Sequence, residues 1–189
     1  MTEFKEWPKI PRGGNAEAVT ITEKIDGSNA CVVIEHGIVI GAQSRNRMLT
    51  DFTLFGGLIH NGDDNFGFAE WVIKNKAELA KLGDGYHYGE WAGPGIQQNP
   101  HNLTEKTFFL FNTFRWNAEN PNLPEICKVV PVLYNGPYYD GLINETMANL
   151  RGSAANAGYA PEGVVTWFHR GKRYEKTTFA YERGKWAAA

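Results

Sequence analysis

The stretch AVTITEKIDGSNACVVIEHGIVIGAQSR, from Ala18 to Arg45, is dense in Val, Ile and Thr and is broken by residues that favour turns. This composition predicts successive β-strands, with a hairpin turn at His36-Gly37 between CVVIE and IVIGA. One residue does not suit a buried strand: Lys24 follows the alternating run and precedes Asp26-Gly27. Because hiding an ammonium group is costly unless it is paired or used, Lys24 is the first candidate for chemistry.

The rest of the chain predicts helices scattered among hairpins. Residues 63–83, DDNFGFAEWVIKNKAELAKLG, carry apolar residues at helical spacing and end on a glycine, and LINETMANLRGSAANAG at 142–158 predicts a second helix. Further strands are predicted in YHYGEWAG, KTFFLFNTFRW and EGVVTWFHRGKRYEKTTFAYE. Because the helices do not alternate one for one with strands, we expect an α+β fold with mainly antiparallel sheets.

The composition is that of a globular protein with one core. Of 189 residues, 42% are hydrophobic and 13% aromatic, so we expect a single domain over residues 1–189, without an appended OB-fold or helical C-terminal domain. No apolar run approaches the roughly 18 residues that a membrane span needs, and the first residues lack the apolar core of a signal peptide. Cys31 and Cys127 form neither a metal-site spacing nor a disulfide framework. These features predict a cytoplasmic protein without a membrane partner.

The net charge of −2 argues against a protein that coats nucleic acid. The charge is uneven, however, since the segment from His169 to Lys185 carries six basic side chains and two acidic ones. A local basic strip on an acidic body suits a nucleotide or one nucleic-acid end. It suits a solvated strand or tail equally well.

A lysine acts as a nucleophile only when it is uncharged. At pH 7 this costs about 4–5 kcal/mol, so the side chain needs desolvation or a neighbouring positive charge. Lys24 in an apolar strand would be desolvated. Asp26, on the same strand face by the two-residue period, would position a ligand hydroxyl or the lysine, and Gly27 would leave room for a ligand against the backbone.

Other short motifs bear the residue types that bind a nucleotide. The arginines of SRNR, from Ser44 to Arg47, suit phosphates. Glu90 and Glu162, each beside a glycine, suit a ribose hydroxyl and a hydrated magnesium ion, and Lys176 offers a second cation for phosphate. Each of these residues alone also fits an exposed strand end. Their joint order along one chain is the stronger signal.

That order, Lys-x-Asp-Gly, Ser-Arg, Gly-Glu, an aromatic strand, Glu-Gly-Val-Val and a late lysine, resembles the covalent nucleotidyltransferase superfamily of polynucleotide ligases and capping guanylyltransferases. EKIDGSN, YGEWAGPGIQ and the early KIPR look most like its RNA ligase 2-like branch. The resemblance runs from about Lys9 to Phe179. It implies a nucleotidyltransferase (ATP-grasp-like) fold, with mainly antiparallel sheets flanked by helices around a nucleotide cleft.

The resemblance also implies a reaction. Lys24 would attack the α-phosphate of ATP, expel pyrophosphate and carry AMP as a phosphoramidate. Glu162 would hold the shell of a Mg²⁺ (or Mn²⁺) ion, and Lys176 would grip the α-phosphate as negative charge builds. AMP would then pass to the 5′-phosphate of a nucleic-acid end, RNA being favoured, for attack by a 3′-hydroxyl.

Several residues would hold the nucleotide in such an enzyme. Glu90 would bind the ribose hydroxyl, Phe111 would stack on adenine unless it is a core aromatic, and Arg45 would contact the nucleotide or the 5′-phosphate. The full set implied is Glu23, Asp26, Gly27, Asn29, Arg45, Glu90, Phe111 and Lys176.

Three positions depart from the family pattern. Tyr174 stands where relatives commonly have a lysine, Asn112 where many have Asp, and Asp26 where RNA ligase 2-like relatives often have His. Asp26 is closer to the DNA ligases and capping enzymes. Only 13 residues follow Lys176, too few for a further domain. This predicts a minimal ligase that works alone, one that uses a partner protein in place of a C-terminal domain, or an enzyme that adenylates something else.

Alternatives therefore stay open. A minimal DNA ligase and a capping-type guanylyltransferase that uses GTP share the chemistry. A non-catalytic module that binds a nucleotide or a nucleic-acid end shares only the fold. A carbohydrate-binding role for the many aromatics is less supported, because they fall mostly in apolar strands, where core packing explains them.

Overall fold

The computed structural model describes residues 16–52 and 62–182. Within these ranges the strands are β1 (Ala18–Glu23), β2 (Ser28–Glu35), β3 (Ile38–Ser44), β4 (Met48–Asp51), β5 (Gly85–Ala92), β6 (Thr107–Leu110), β7 (Cys127–Val129), β8 (Val132–Pro137), β9 (Gly163–Phe168) and β10 (Arg173–Thr178). The helices are α1 (Phe68–Lys74), α2 (Lys76–Leu79), α3 (Leu142–Ala157) and α4 (Phe179–Glu182), with a 3-10 turn over Ala80–Leu82.

These strands form two sheets, which confirms the predicted α+β class. The smaller sheet has the order β10-β9-β1-β8, and the larger has the order β4-β3-β2-β5-β6-β7. Neighbouring strands are antiparallel except for β6 and β7. The chain passes from the smaller sheet to the larger one between the end of β1 and the start of β2, at residues 24–27. The Lys24 region therefore lies at the junction of the two sheets.

Each sheet has its own hydrophobic core. In the larger sheet, alternate residues of β2 pack with side chains of α1 and α2, and Phe68, Trp91 and Phe108 are almost completely buried. In the smaller sheet, Val19 and Ile21 of β1 pack against α3. Full burial of such side chains contributes about 1.5–3 kcal/mol each, so both sheets are held firmly on either side of the junction.

The hairpin at His36-Gly37 is confirmed. Both residues have positive φ angles, 51° and 71°, as a two-residue turn between twisted strands requires. The Gly37 N–H also donates to the Asp84 carboxylate at 2.7 Å. The second predicted helix is likewise present as α3, and it ends at Gly158, whose φ is 79°.

The predicted helix over residues 63–83 is interrupted. It begins only at α1, where the Asp64 carboxylate accepts a hydrogen bond from the Gly67 N–H at 2.9 Å, and it breaks at Asn75 before α2. The Asn75 side-chain amide donates to the Trp71 carbonyl at 2.8 Å. The backbone of Asn75, with φ −111° and ψ 18°, departs from helical geometry, so the break lies at this residue.

Strand predictions were incomplete elsewhere. The aromatic strand predicted over 106–116 is limited to β6, and β4, β7 and β8 were not predicted. The KIPR motif and the basic residues Arg183 and Lys185 lie outside the described ranges. Among the described residues, no helix is long and apolar enough to cross a membrane.

Candidate active site

A cleft of about 1150 Å³ lies between the two sheets. Its walls come from β1, β9 and β10 on one side, from β2, β3 and β5 on the other, and from the segment that follows β6. The predicted site residues that line it are Glu23, Lys24, Asn29, Arg45, Glu90, Phe111 and Lys176. Seven predicted residues, drawn from six parts of the chain, thus meet in one cleft.

Lys24 is the first residue after β1, and its backbone N–H donates to the Gly163 carbonyl at 2.9 Å. Its Nζ lies 2.5 Å from Oε2 of Glu162, and the two side chains are 22% and 31% exposed. The prediction that Lys24 lies inside an apolar strand is therefore wrong. Lys24 lies just beyond the strand, is partly exposed and is paired with a carboxylate.

Glu90 lies deeper than the ion pair. It is 8% exposed, and its Oε2 accepts a hydrogen bond from Asn29 Nδ2 at 2.8 Å. Asn29 Oδ1 in turn accepts one from Arg45 Nε at 2.7 Å. Burial raises the pKa of Glu90 to about 7. Nearby Lys24 counteracts part of that rise, and the negative charge of Glu162 adds to it. Asn29 thus links the Arg45 guanidinium to the Glu90 carboxyl group, whose charge changes with pH near neutrality.

Glu23, next to the lysine, belongs to a second network. The residue is 4% exposed, and its carboxylate is hydrogen-bonded to His101 Nε2 at 2.8 Å and to the Tyr159 hydroxyl at 3.0 Å. Burial and the bond to Glu23 raise the pKa of Tyr159 to about 12. His101 and Tyr159 were not predicted as site residues, because they lie 78 and 136 positions away in sequence and no local motif marks them. This network fixes the backbone at the end of β1, immediately before Lys24.

Asp26 and Gly27 do not line the cleft, unlike the other predicted nucleotide-binding residues. The Asp26 carboxylate accepts a hydrogen bond from the Gln98 N–H at 3.2 Å. Gly27 turns the side on which a Cβ would lie toward β5, where that atom would sit 2.4 Å from the Trp91 carbonyl oxygen. The glycine therefore serves the close approach of two backbone segments, and the room predicted for a ligand is taken by β5.

Gly27→Ala is accordingly expected to destabilise the protein by about 1–3 kcal/mol, because backbone and Cβ cannot share that space. Urea unfolding of the variant and the wild type measures the difference. Gly152→Ala in α3 is the matched control, since a Cβ there meets nothing within 4 Å and alanine favours the helix by about 0.5–1 kcal/mol. Equal stability of Gly27→Ala and wild type would contradict the role assigned to the close contact.

Two further predicted residues lie on the cleft surface. Phe111 follows β6, is 40% exposed and lines the cleft, so it is not the core aromatic that was the alternative interpretation. Lys176 lies on β10 opposite Val165 of β9. Arg47, the second arginine of SRNR, pairs instead with Asp63 and is not part of the cleft lining.

The carboxylates suit a metal ion held mainly by a substrate. Among the described residues, no group of three or more His, Cys, Asp or Glu side chains could hold a metal ion by itself. Mg²⁺ is ordinarily bound by one or two carboxylates together with phosphates and water. Glu162 does not line the cleft itself but contacts Lys24, which does, and a single carboxylate there fits this arrangement.

The RNA ligase family profile matches residues 17–177 of the chain. No curated protein matches it in sequence. Solved structures of an RNA ligase from Naegleria gruberi share the fold. A mutant with ATP and Mn has a TM-score of 0.58 and 21% identity, and the match covers 90% of this chain and 52% of that one. The form with PPi has a TM-score of 0.57 and 20% identity, covering 89% and 51%.

The chain therefore spans about half the length of these solved structures. At this low identity the structural match shows a shared fold and no more. The family profile covers most of the sequence, from residue 17 to residue 177, including Lys24, Glu90, Glu162 and Lys176. The chain belongs to the RNA ligase family.

Proposed function

We propose that this chain catalyses the ATP-dependent joining of RNA ends through a covalent lysyl-AMP. The single observation that carries the proposal is the position of Lys24, whose amine lies 2.5 Å from Glu162 and which lines the same cleft as Arg45, Glu90 and Lys176. A reactive amine, two carboxylates and two cations are the groups that nucleotidyl transfer needs.

In the proposed first step, the lone pair of Lys24 Nζ attacks the α-phosphorus of ATP. A phosphorus–nitrogen bond forms, the bond to the bridging oxygen of the β-phosphate breaks, and pyrophosphate leaves. Because a charged ammonium has no lone pair, the ion pair with Glu162 opens first. The side chain is 22% exposed, so its proton passes to water.

The neighbouring residues have separate roles. Lys176 stabilises the negative charge that builds on the α-phosphate, and Arg45, oriented by its bond to Asn29, contacts phosphate. Glu90 accepts the ribose hydroxyl, and Phe111 stacks on adenine, a contact of about 1–3 kcal/mol elsewhere. Glu162 would hold a hydrated magnesium or manganese ion, which when bound offsets phosphate charge.

In the later steps, the 5′-phosphate of an RNA end takes AMP from Lys24, and a 3′-hydroxyl then attacks that phosphate and releases AMP. Structures of the Naegleria ligase with ATP and Mn, AMP and Mn, or PPi support this choice of nucleotide and metal. The choice of RNA rests on membership of the family. The proposed setting is RNA repair in the cytoplasm, where the buried, unpaired thiols of Cys31 and Cys127 stay reduced.

The test is the intact mass of the denatured chain after incubation with ATP and Mg²⁺. We expect a mass increase of one AMP, which is absent when a chelator removes the metal, and then sealing of 5′-phosphorylated RNA. An adduct with GTP alone would indicate a capping-type enzyme, and sealing of DNA alone a DNA ligase. ATP binding without any adduct would show a binding module and overturn the proposal. An adduct without sealing would assign the later steps to a partner protein.

A further inference from the structure

The cleft extends well beyond the residues proposed to hold ATP. Because β1 ends and β2 begins at the junction beside Lys24, residues earlier in β1 and later in β2 lie progressively farther from that junction. Residues that pair across neighbouring strands lie at about the same distance from the junction. The strand register therefore shows which lining residues are near Lys24 and which are farther along the cleft.

On the smaller sheet, charge gives way to aromatic rings with distance from Lys24. Lys176 lies in the row that contains Thr22. Glu175 lies in the next row outward, and Trp167 and Tyr174 pair with each other in the row after that, about 13 Å from Lys24 at roughly 3.3 Å per residue. Their ring centroids are 4.4 Å apart, and Tyr174 is 70% exposed. At this distance from Lys24, the wall of the cleft formed by the smaller sheet is aromatic.

The larger sheet shows the same change from charged to aromatic side chains with distance from Lys24. Tyr86, Tyr88 and Glu90 are alternate residues of β5, and all three line the cleft. Glu90 pairs with Asn29 at the start of β2, whereas Tyr88 and Tyr86 pair with residues farther along β2 and so lie outward of it. The two tyrosines are 57% and 55% exposed, and their rings are within 17° of parallel. The second wall is therefore polar inside and aromatic outside as well.

A third group of rings lies between the walls. Phe114, after β6, is 66% exposed and lines the cleft, and its ring contacts His169 beyond β9 with centroids 5.2 Å apart. Five of the nine strongly exposed large hydrophobic side chains in the described ranges line this one cleft: Tyr86, Tyr88, Phe111, Phe114 and Tyr174. Such concentration in one place marks a binding surface, whereas single exposed aromatics are ordinary.

The lining carries four cations and three carboxylates: Lys24, Arg45, Arg115 and Lys176 against Glu23, Glu90 and Glu175. Glu23 and Glu90 are buried, and the Arg115 guanidinium donates to the carbonyls of Leu82 and Asp84. The accessible charges of the lining are therefore more positive than negative, which suits a polyanion. Cationic grooves that also present aromatic faces bind single-stranded nucleic acid, because every unpaired base offers a face for stacking. A paired duplex keeps its bases stacked internally and offers mainly phosphates and groove edges.

We infer that the outer cleft, formed by Tyr86, Tyr88, Phe114, Trp167 and Tyr174, binds unpaired nucleotides of the RNA by stacking. The inference rests on the proposed function and narrows it: the RNA ends to be joined are single-stranded next to the joining site. A nick inside a continuous duplex would leave these rings without bases to contact.

The test is fluorescence-anisotropy binding of the full chain to a labelled, 5′-phosphorylated RNA of about 12 nucleotides, within the usual range of single-strand sites. The same RNA annealed to its complement is the comparison. We expect the single strand to bind at least about tenfold more tightly than the duplex. The variant Tyr86→Ala with Tyr88→Ala should lose about tenfold or more for the single strand, as expected for lost base stacking, and keep the affinity for duplex.

The matched control is Ile38→Ala with Tyr139→Ala, which truncates two exposed side chains outside the cleft and should bind like the wild type. Unchanged single-strand binding by the Tyr86 and Tyr88 variant would overturn the inference, and so would equal binding of duplex and single strand by the wild type. If the wild type self-associates and does not bind RNA, and the Tyr86 and Tyr88 variant no longer self-associates, the surface would be assigned to a protein partner instead. Adduct formation by the wild type is measured separately, so failure of the ligase proposal is distinguishable from failure of this one.

Discussion

Lys24→Arg is expected to lower the yield of the AMP adduct by at least about 1,000-fold, to below detection by intact mass. An arginine keeps the positive charge beside Glu162 but does not lose its proton in proteins, so no lone pair is available for attack on phosphorus. Loss of a covalent nucleophile in other enzymes costs as much or more. The measurement is the mass of the denatured protein after incubation with ATP and Mg²⁺.

Lys81→Arg serves as the control. Lys81 is an exposed lysine that also pairs with a glutamate, Glu78, but is not part of the cleft lining, and its replacement should leave the adduct unchanged. Thermal unfolding of both variants shows whether they are folded. An adduct formed by Lys24→Arg at the wild-type level would place the nucleophile elsewhere and remove the basis of the proposed mechanism.

Glu90→Gln is expected to stabilise the protein at pH 8 by up to about 3 kcal/mol while weakening nucleotide binding. Burial raises the pKa of Glu90 from 4.5 to about 7, so between these values the folded state binds more protons at this site than the unfolded state. Stability therefore falls as the pH rises through that window, and above pH 7 the full cost of the buried charge is present. Glutamine carries no charge and keeps an oxygen that can accept the Asn29 hydrogen bond.

Urea unfolding at pH 4.5 and pH 8 measures this effect. The gain of Glu90→Gln over wild type should be near zero at pH 4.5 and greatest at pH 8. Glu35→Gln, at an exposed position, should show no such difference. The other charges that face Glu90 are those of Lys24, Arg45 and Glu162, and all three are unchanged in the variant. A stability gain that is the same at both pH values would contradict the assigned cause.

The ion pair between Lys24 and Glu162 gives the carboxylate two successive tasks in the proposed reaction. It holds the amine at the end of the cleft before ATP binds, and it becomes available to a metal ion once the pair has opened. The network of Glu23 with His101 and Tyr159 fixes the residue before the lysine. Together they place one flexible side chain without requiring it to be buried, which agrees with its partial exposure.

Local sequence was sufficient for the elements whose determinants lie within a few residues. The His36-Gly37 hairpin follows from the turn residues themselves, α3 follows from helical spacing and a terminal glycine, and the strands of the first stretch follow from β-branched residues. The order of the motifs around Lys24, Glu90, Glu162 and Lys176 indicated the family before any coordinates. These predictions hold in the folded protein because each depends only on residues that are close together in the sequence.

Only the tertiary structure decided the features that join distant segments. Lys24 and Glu162 are 138 positions apart, so the contact between this amine and this carboxylate has no local signal. Gly27 was predicted to admit a ligand, whereas the approach of β5 from more than 60 residues away takes that space. The burial that shifts the pKa of Glu90 and the two aromatic walls likewise depend on which strands become neighbours. Residue order sets which groups are available, and the packing of the two sheets sets which of them meet, because contact energies depend on distance in space and not on distance along the chain.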